Sequence, residues 1–341
     1  TQLGIHLNGS IIQEVAGTGS FGKLTIDNTN GAILPLGSTI QINNALRMNQ
    51  GLFDIQGNLL ALGVNCAIEG SGFNAFKMIQ TNTSFTDNGI KKTFPAGAQT
   101  FMYPIGSMGK YTPLTLNITA NSNSTGSITL KAASEVHPSI LDDVESSCQL
   151  NDLNNVLQYY WILRSNGISG LSGTAQMNSL LTDVNISNPC GKTSADYITA
   201  RLLITSTTWN KFTPDKFDEA TGYLSFDFNA TDDNGISGDY LCGLDDAIPN
   251  TVTVYQTINS GNWTNTAIWE TIPAGSPIPA GGPRGSIVQI NPTHTVDVPA
   301  NRDVFVYKSF INGTLNLNST TQHRLGYVFG TGTIKVVNQP T

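Results

Sequence analysis

The stretch SIVQINPTHTVDVPANRDVFVYKSFINGTLNL, residues 286–317, decides the fold of this chain. It repeats a short motif in which two apolar residues flank a third residue and a turn then follows. The pairs are Val288 and Ile290, Val296 and Val298, Val304 and Val306, and Leu315 and Leu317. Asn-Pro, Pro-Ala-Asn and Asn-Gly sequences lie between them. Apolar pairs interrupted by turns at this density predict a β-solenoid, in which each pair faces the interior of a coil.

A second set of apolar pairs lies near the other end of the chain. Its members are Leu24 and Ile26, Ile40 and Ile42, Leu46 and Met48, Phe53 and Ile55, and Leu60 and Leu62. The last three pairs are spaced by seven residues, which is too short for a full rung of a solenoid. They are either successive faces of one coil or strands of a meander, and the sequence does not separate the two. We predict β-solenoid-like segments over residues 1–75 and 248–341.

Charged residues are scarce in this chain of 341 residues, because only 12% are Asp, Glu, Lys or Arg, about half the usual share. Asn, Thr, Ser and Gly supply the polarity, and this mixture favours strands and turns over helices. The net charge is −7 and no basic run occurs, which disfavours binding to nucleic acids or anionic membranes. No apolar stretch reaches membrane-spanning length. Because the chain opens with TQLGIHLNGS, we expect a mature or excised piece.

Residues 76–247, between the two solenoid segments, predict a β-sandwich with a leading hairpin region over 76–125. Seven strand candidates separated by turn signals follow that region. They are GSITLKAAS, VLQYYWILRSN, GTAQMNSL, YITARLLITS, WNKFTPD, GYLSFDFNA and GDYLCGL. The predicted fold class is all-β, with solenoid segments flanking an immunoglobulin-like antiparallel sandwich. Trp161, inside the second candidate strand, is the expected centre of the sandwich core.

The four cysteines, Cys66, Cys148, Cys190 and Cys242, lack the CxxC spacing that is typical of a zinc site. Four cysteines can pair into two disulfides in three ways. We favour a Cys148–Cys190 disulfide, because both residues lie in polar loops of the predicted sandwich. The alternative is four buried free thiols. A disulfide would agree with an extracellular location.

Trp263 and Trp269 lie six residues apart near the start of the second solenoid segment. Together with Tyr255 they are candidates for an aromatic platform that stacks against sugar rings. The interpretation that we favour is a cap over the open end of the solenoid, since repeat arrays need terminal caps to cover apolar faces. The two interpretations differ in exposure, because a platform is open to solvent and a cap is buried.

The sequence TDDNGISGD, residues 231–239, is rich in oxygen ligands and contains glycines. It makes Asp232, Asp233, Asn234 and Asp239 candidates for a calcium site. It lacks the alternating acidic spacing and the distal Glu of an EF-hand. An Asx-rich turn before the last sandwich strand is the simpler interpretation. We therefore expect no cofactor, with calcium as the one candidate ion.

No sequence motif predicts catalysis. The four histidines are scattered, there is no GxSxG or Cys–His signature, and no pair of carboxylates can be nominated for glycoside hydrolysis. We expect a structural role without enzyme activity. A carbohydrate-binding module is the alternative, and a polysaccharide-degrading enzyme is the least favoured.

Two regions resemble modules of large secreted proteins of Bacteroidetes. SGNWTNTAIWE (260–270), the Pro/Gly-rich stretch after it, IVQINPTHTVDV and FINGTLNL are similar to a module with paired tryptophans, a proline-rich turn and paired strands. FPAGAQTFMYPIGSMGKYTPLTLNI (94–118) and GSITLKAASEVHP (126–138) resemble the β-domain that commonly accompanies it. Members of that family are often exported by the type IX secretion system, and they act as adhesins, gliding-related filaments or stalks.

The resemblance implies a structural or adhesive module of a large cell-surface protein or extracellular filament. Because solenoids cover their strand edges by stacking, we expect neighbouring modules or further copies of this protein as end-to-end partners. Surface glycans are the other candidate partners, and nucleic acids and a membrane span are not expected. The expected location is extracellular or on the cell surface.

Overall fold

The computed structural model describes residues 4–82, 86–140, 152–184, 191–212, 217–229, 235–300, 302–317 and 322–337. Within these ranges the chain is all-β, with parallel strands stacked as in a solenoid. This confirms the predicted fold class at that level. Short 3₁₀ turns lie at Asp152–Asn154, Leu181–Asp183, Ser194–Asp196, Asp245–Ala247 and Thr266–Ile268.

The strands of the first region stack in parallel in three columns of pairing. The strands up to residue 111 are β1 (Gly4–Leu7), β2 (Gln13–Glu14), β3 (Thr18–Asp27), β4 (Ala32–Ile33), β5 (Thr39–Gln50), β6 (Phe53–Gln56), β7 (Leu59–Leu62), β8 (Ala67–Glu69), β9 (Ile79–Thr81), β10 (Ile90–Thr93), β11 (Gln99–Tyr103), β12 (Ile105–Ser107) and β13 (Lys110–Tyr111). One column joins β2, β4, β6, β9 and β12. The long strands β3 and β5 contribute to both other columns, because β5 pairs with β7 through its first half and with β8 through its second half.

The three columns explain the seven-residue spacing of the apolar pairs. The register partners are Leu24 and Leu46, Ala32 and Phe53, and Ile40 and Leu60. These partners are 20 to 22 residues apart, so seven residues correspond to one face of a three-faced rung. The apolar pairs are therefore successive faces of a coil and not strands of a meander. All of these side chains are buried.

Polar side chains and glycines shape the corners of the first coil. The Asn58 amide donates to the carbonyl oxygens of Leu34 at 2.7 Å and Ile55 at 3.1 Å. Its Oδ1 accepts from the backbone N–H of Gly37 at 2.9 Å. The side chain thus satisfies backbone groups that the turn leaves without strand partners. Gly51 has a φ of 78°, and a side chain there would overlap the carbonyl oxygen of Asn28.

The middle region consists of antiparallel strands that share one apolar core. Its strands are β14 (Leu114–Ala120), β15 (Ser127–Ala133), β16 (Tyr160–Asn166), β17 (Ser172–Asn178), β18 (Tyr197–Leu202), β19 (Trp209–Lys211), β20 (Phe217–Asp218), β21 (Tyr223–Phe228) and β22 (Gly238–Leu244). One group runs in the order β15-β16-β22-β18-β19 and the other in the order β11-β14-β17-β21-β20. Each of the seven predicted strand candidates overlaps one of these strands. Trp161 is fully buried in the shared core.

Strand β10 joins the first coil to the middle region. It pairs in parallel with β7 on one side and antiparallel with β15 on the other. The parallel stacking thus extends past residue 75, where the sequence pattern places the end of the first segment. The sequence pattern stops earlier because β9, β10 and β12, which begin at Ile79, Ile90 and Ile105, are not regularly spaced.

The second coil has two parallel columns and its own apolar core. Its strands are β23 (Val254–Thr257), β24 (Gly261–Asn262), β25 (Trp269–Ile272), β26 (Ile287–Ile290), β27 (Thr295–Val298), β28 (Lys308–Ile311), β29 (Thr314–Leu317), β30 (Tyr327–Phe329) and β31 (Thr333–Val336). The columns are β23-β26-β28-β30 and β24-β27-β29-β31. All eight side chains of the apolar pairs in residues 286–317 are buried in this core, as the periodicity predicts.

The second coil packs against the middle region through the outer side of β26, β28 and β30. Ile287, Tyr307 and Tyr327 belong to the core cluster of the first coil and the middle region, whereas Val288 and Val306, which adjoin Ile287 and Tyr307, belong to the core of the second coil. Alternate residues of these strands therefore serve two different cores. The contact between the coil and the middle region is called the junction below.

Candidate functional site

The aromatic residues that were candidates for a sugar platform are buried. Trp263, Trp269 and Tyr255 all lie in the core of the second coil. The two indole rings meet edge to face with centroids 5.3 Å apart, and Trp269 Nε1 donates to the carbonyl oxygen of Trp263 at 3.0 Å. The platform interpretation of the tryptophans is therefore wrong, because neither ring offers a face to solvent. Their burial is what the cap interpretation expects.

Of the four residues that were candidates for a calcium site, the structure describes only one. Asp232, Asp233 and Asn234 lie outside the described residues. Asp239 is described and is fully buried, and both of its carboxylate oxygens accept hydrogen bonds from protein donors. Its assignment as a calcium ligand is wrong, because a guanidinium already neutralises the carboxylate. Within the described ranges, no group of three or more His, Cys, Asp or Glu side chains could hold a metal ion.

The predicted Cys148–Cys190 disulfide lies outside the described residues. The other two cysteines, Cys66 and Cys242, are buried. Burial raises the pKa of Cys66 to about 11, although the nearby positive charge of Lys92 acts in the opposite direction.

A network of buried polar groups around Asp239 lies at the junction, and the sequence patterns did not predict it. Arg164 Nη2 donates to Asp239 Oδ1 at 2.8 Å. The hydroxyl of Tyr307, from the second coil, donates to Asp239 Oδ2 at 2.8 Å. His137 Nε2 lies 3.2 Å from the same oxygen. One carboxylate on β22 therefore binds β16, the segment after β15, and the second coil.

The hydrogen bonds of His137 fix the position of its proton. The backbone N–H of Ser139 donates to His137 Nδ1 at 3.2 Å, which requires Nδ1 to be unprotonated. The neutral ring therefore carries its proton on Nε2 and donates it to Asp239. Burial lowers the pKa of His137 and outweighs the opposing effect of the Asp239 carboxylate, so the ring stays neutral at neutral pH.

The charge of Arg164 determines the ionisation of Asp239. Burial alone would raise the pKa of the Asp239 carboxyl group. The positive charge of Arg164 and the hydrogen bonds from His137 and Arg164 outweigh this effect, and they hold the pKa of Asp239 well below its ordinary value. Asp239 and Arg164 therefore form a charged pair inside the protein, with side chains that are 1% and 12% exposed.

Further polar contacts extend the network across the junction. Arg164 Nη2 also donates to the hydroxyl of Tyr327 at 3.0 Å, and Arg324 Nη2 donates to Glu135 Oε1 at 2.6 Å. Lys308 Nζ donates to the carbonyl oxygens of Ile204 and Ser206. Burial lowers the pKa of Lys308 to about 8, against the raising effect of the Asp239 charge. Tyr307, Lys308, Arg324 and Tyr327 of the second coil are thus all held by groups of the middle region.

Ser139, His137 and Asp239 are connected in the same order as the groups of a hydrolase triad. Ser139 Oγ lies 2.9 Å from His137 Nδ1, and His137 Nε2 contacts Asp239. However, Trp209 Nε1 donates to the same Ser139 hydroxyl at 3.2 Å, and all three groups are buried. The Ser139 hydroxyl is thus engaged by both His137 and Trp209, whereas a nucleophile must be free to attack its substrate. The arrangement instead suits the fixing of the junction, because every group in it already binds a neighbour.

The outermost rung of each coil carries side chains that face the interior of the coil. Among the described residues, nothing covers these side chains completely. Ile334 and Val336 of β31 are in register with the buried Leu315 and Leu317, but they are 38% and 75% exposed. At the other end of the molecule, Ile5 of β1 is in register with the buried Leu24 and is 42% exposed. The described residues therefore present one open rung at each end.

The sequence did contain one signal for the buried network. Lys131, Arg164, Asp239 and Lys308 are charged residues within otherwise apolar strand sequences, and all four have side chains in the interior or at its edge. A buried charge requires a partner, so these positions indicate an internal network. The sequence did not identify which charges meet, because Arg164 and Asp239 are 75 residues apart.

Comparisons with known proteins do not identify this chain: no family, no curated protein and no solved structure matches it. None of the helices formed by the described residues has the length and apolar character needed to cross a membrane.

Proposed function

We propose that this chain is a non-catalytic structural module of a large exported cell-surface protein or extracellular filament, and that its coils join it end to end to neighbouring modules. The open terminal rungs carry this proposal. Ile334 and Val336 occupy the column of side chains that is buried in the two preceding rungs, at β27 and β29. A further rung stacked on β31 would bury them as Leu315 and Leu317 are buried.

The physical chemistry of an open rung favours such stacking. Strand edges present unpaired N–H and C=O groups to which another strand can bind. A stacked rung pairs these groups and removes apolar side chains from water, and each Å² of apolar surface buried contributes roughly 25 cal/mol. The rungs of the two coils are similar in length, since register partners lie 19 residues apart between β29 and β31 and 22 apart between Leu24 and Leu46. The β1 end of one copy is therefore a suitable partner for the β31 end of another.

The middle region would then act as a spacer between coils. Its antiparallel strands and the buried Trp161 support an immunoglobulin-like sandwich as the finer description of this spacer. The junction network supports a fixed orientation of the second coil on it, because Asp239 and Glu135 each bind side chains of both regions. The similarity of residues 94–138 and 260–317 to modules of secreted Bacteroidetes proteins supports an extracellular location.

The proposal can be tested by measuring the association of the chain with itself. We expect sedimentation velocity to show concentration-dependent head-to-tail oligomers, and electron microscopy to show linear particles. Replacing Val336 with Lys should abolish this association, because it places a charge on the open rung. The matched control is Leu36→Lys, since Leu36 is also an exposed apolar residue but lies at a corner of the first coil. A wild-type chain that stays monomeric at all concentrations, or a Val336→Lys variant that associates normally, would contradict the proposal.

A further inference from the structure

A cavity of about 350 Å³ lies where the middle region meets the second coil. Its walls come from three segments of the chain: Ser139 after β15, residues 246–255 leading into and along β23, and residues 276–286 before and at the start of β26. The volume is within the range of small-molecule sites. It equals the volume of about twelve water molecules in the liquid, so the cavity is large enough for a six-membered sugar ring.

The walls of the cavity are mostly apolar and conformationally restricted. Pro249, Pro277 and Pro279 line it together with Val252 and Tyr255. The Tyr255 hydroxyl donates to the carbonyl oxygen of Pro277 at 3.0 Å, which fixes the ring against the loop. Proline and a held aromatic ring lose little conformational entropy when a ligand binds.

One buried hydroxyl group of the cavity lining lacks a partner. Ser286 lines the cavity and is 1% exposed, and its Oγ has no hydrogen-bond partner among the described residues. A buried polar group without a partner is unfavourable, and it indicates a bound water or ligand. Ser309, on the neighbouring strand β28, differs in this respect, because its Oγ donates to the carbonyl oxygen of Leu325 at 2.6 Å.

The charge of the lining restricts the class of ligand. Asp246 is the one charged residue among the described residues that line the cavity, and it is exposed at the edge. No lysine or arginine in this lining could neutralise an anion. Hydroxyl groups of serine and threonine residues alternate with apolar walls, and this combination matches a molecule that has hydroxyl groups on an apolar ring.

We propose that this cavity binds a neutral sugar unit, with the Ser286 hydroxyl as a hydrogen-bonding group and the Tyr255 ring as part of the apolar wall. This inference is independent of the proposed structural role, since end-to-end stacking uses the terminal rungs. It also differs from the tryptophan platform, because Trp263 and Trp269 do not line the cavity.

The test measures binding of individual neutral sugars to the full chain. Glucose, galactose, mannose and N-acetylglucosamine are titrated separately, with saturation-transfer NMR and calorimetry as readouts. We expect saturable binding of at least one sugar. Ser286→Ala should weaken that binding about ten-fold, the effect of losing one ligand hydrogen bond, without lowering the unfolding temperature. Ser276→Trp, at the edge of the cavity, should abolish binding by filling the entrance.

The matched control is Ser309→Ala, which removes a buried hydroxyl from the same column of strands but outside the cavity. We expect it to lower stability through the lost bond to Leu325 and to leave sugar affinity unchanged. Absence of saturable binding for all four sugars overturns the inference. Equal affinity of wild-type and Ser286→Ala chains also overturns it, since the sugar would then bind elsewhere or bind without that hydroxyl. Neither outcome affects the self-association experiment.

Discussion

Replacing Asp239 with Asn tests the importance of the buried charged pair. The substitution keeps the size of the side chain and removes its charge, so Arg164 is left as a buried cation without its main partner. Breaking a buried pair by removing one member costs about 3–5 kcal/mol. The effect belongs at the upper part of that range, because Asp239 also accepts hydrogen bonds from Tyr307 and His137. Chemical unfolding in urea, followed by tryptophan fluorescence, measures the loss.

Two comparisons make the result interpretable. In the double variant Asp239→Leu, Arg164→Met, both charges are absent, and we expect much of the stability to return because no unpaired charge remains. Glu69→Gln removes one member of the Arg47–Glu69 pair, whose side chains are 54% and 40% exposed, and it should change the free energy of unfolding by less than about 1 kcal/mol. If Asp239→Asn has as small an effect as Glu69→Gln, the charged pair does not hold the junction and the reasoning is wrong.

Tyr307→Phe separates the contribution of the second coil from that of the middle region. It removes the hydroxyl that binds Asp239 across the junction, and hydrogen bonds to charged groups contribute about 1.5–3 kcal/mol. We expect faster hydrogen exchange in β26 and β28, with little change in β16 and β18. Equal acceleration in both regions would show that the junction and the middle region open together.

Acid should destabilise the protein in two pH windows. The pKa of His137 is lowered by burial from 6.5, so the folded state binds fewer protons and stability falls as the pH drops below about 6.5. The lowered pKa of Asp239 adds a second loss below its ordinary value of 3.8. Urea midpoints across pH measure both losses, and His137→Gln should remove the first one alone; an unchanged slope in that variant would refute the assignment. Cys66, with a pKa raised to about 11 by burial, should react slowly with thiol reagents at pH 8 and quickly in urea. Peptide mass spectrometry of the labelled protein identifies the site, and rapid labelling of Cys66 in the folded chain would contradict its burial.

The coils could be predicted from the sequence because their signal is local. Leu46, Phe53 and Leu60 follow one another at a fixed spacing, and each inward position must be apolar to cover the same interior. The spacing alone left a meander possible, since it does not show that Leu60 lies beside Ile40. The pairing of residues 20 apart, which only the folded chain reveals, decides between the two.

The junction network could not be predicted in the same way. Its members come from separate parts of the chain, with 102 residues between His137 and Asp239 and 68 between Asp239 and Tyr307. No periodicity links such positions, and the sequence around Asp239 made a calcium loop a candidate because acidic residues and glycine are frequent in both kinds of site. The distinguishing fact is the cation that faces the carboxylate. Arg164 supplies it from a strand that the sequence identified only as a strand candidate of the sandwich.

Strand β10 determines how mechanical load passes through this molecule. Because β10 pairs with β7 on one side and with β15 on the other, a pull on the first coil reaches the middle region through hydrogen bonds between adjacent strands and not through a flexible linker. Forces directed along the strands load several of these bonds at once, whereas forces across the strands break them one after another. The molecule should therefore resist tension more strongly in one direction than in the other, and the orientation of four residues, Ile90–Thr93, sets that direction.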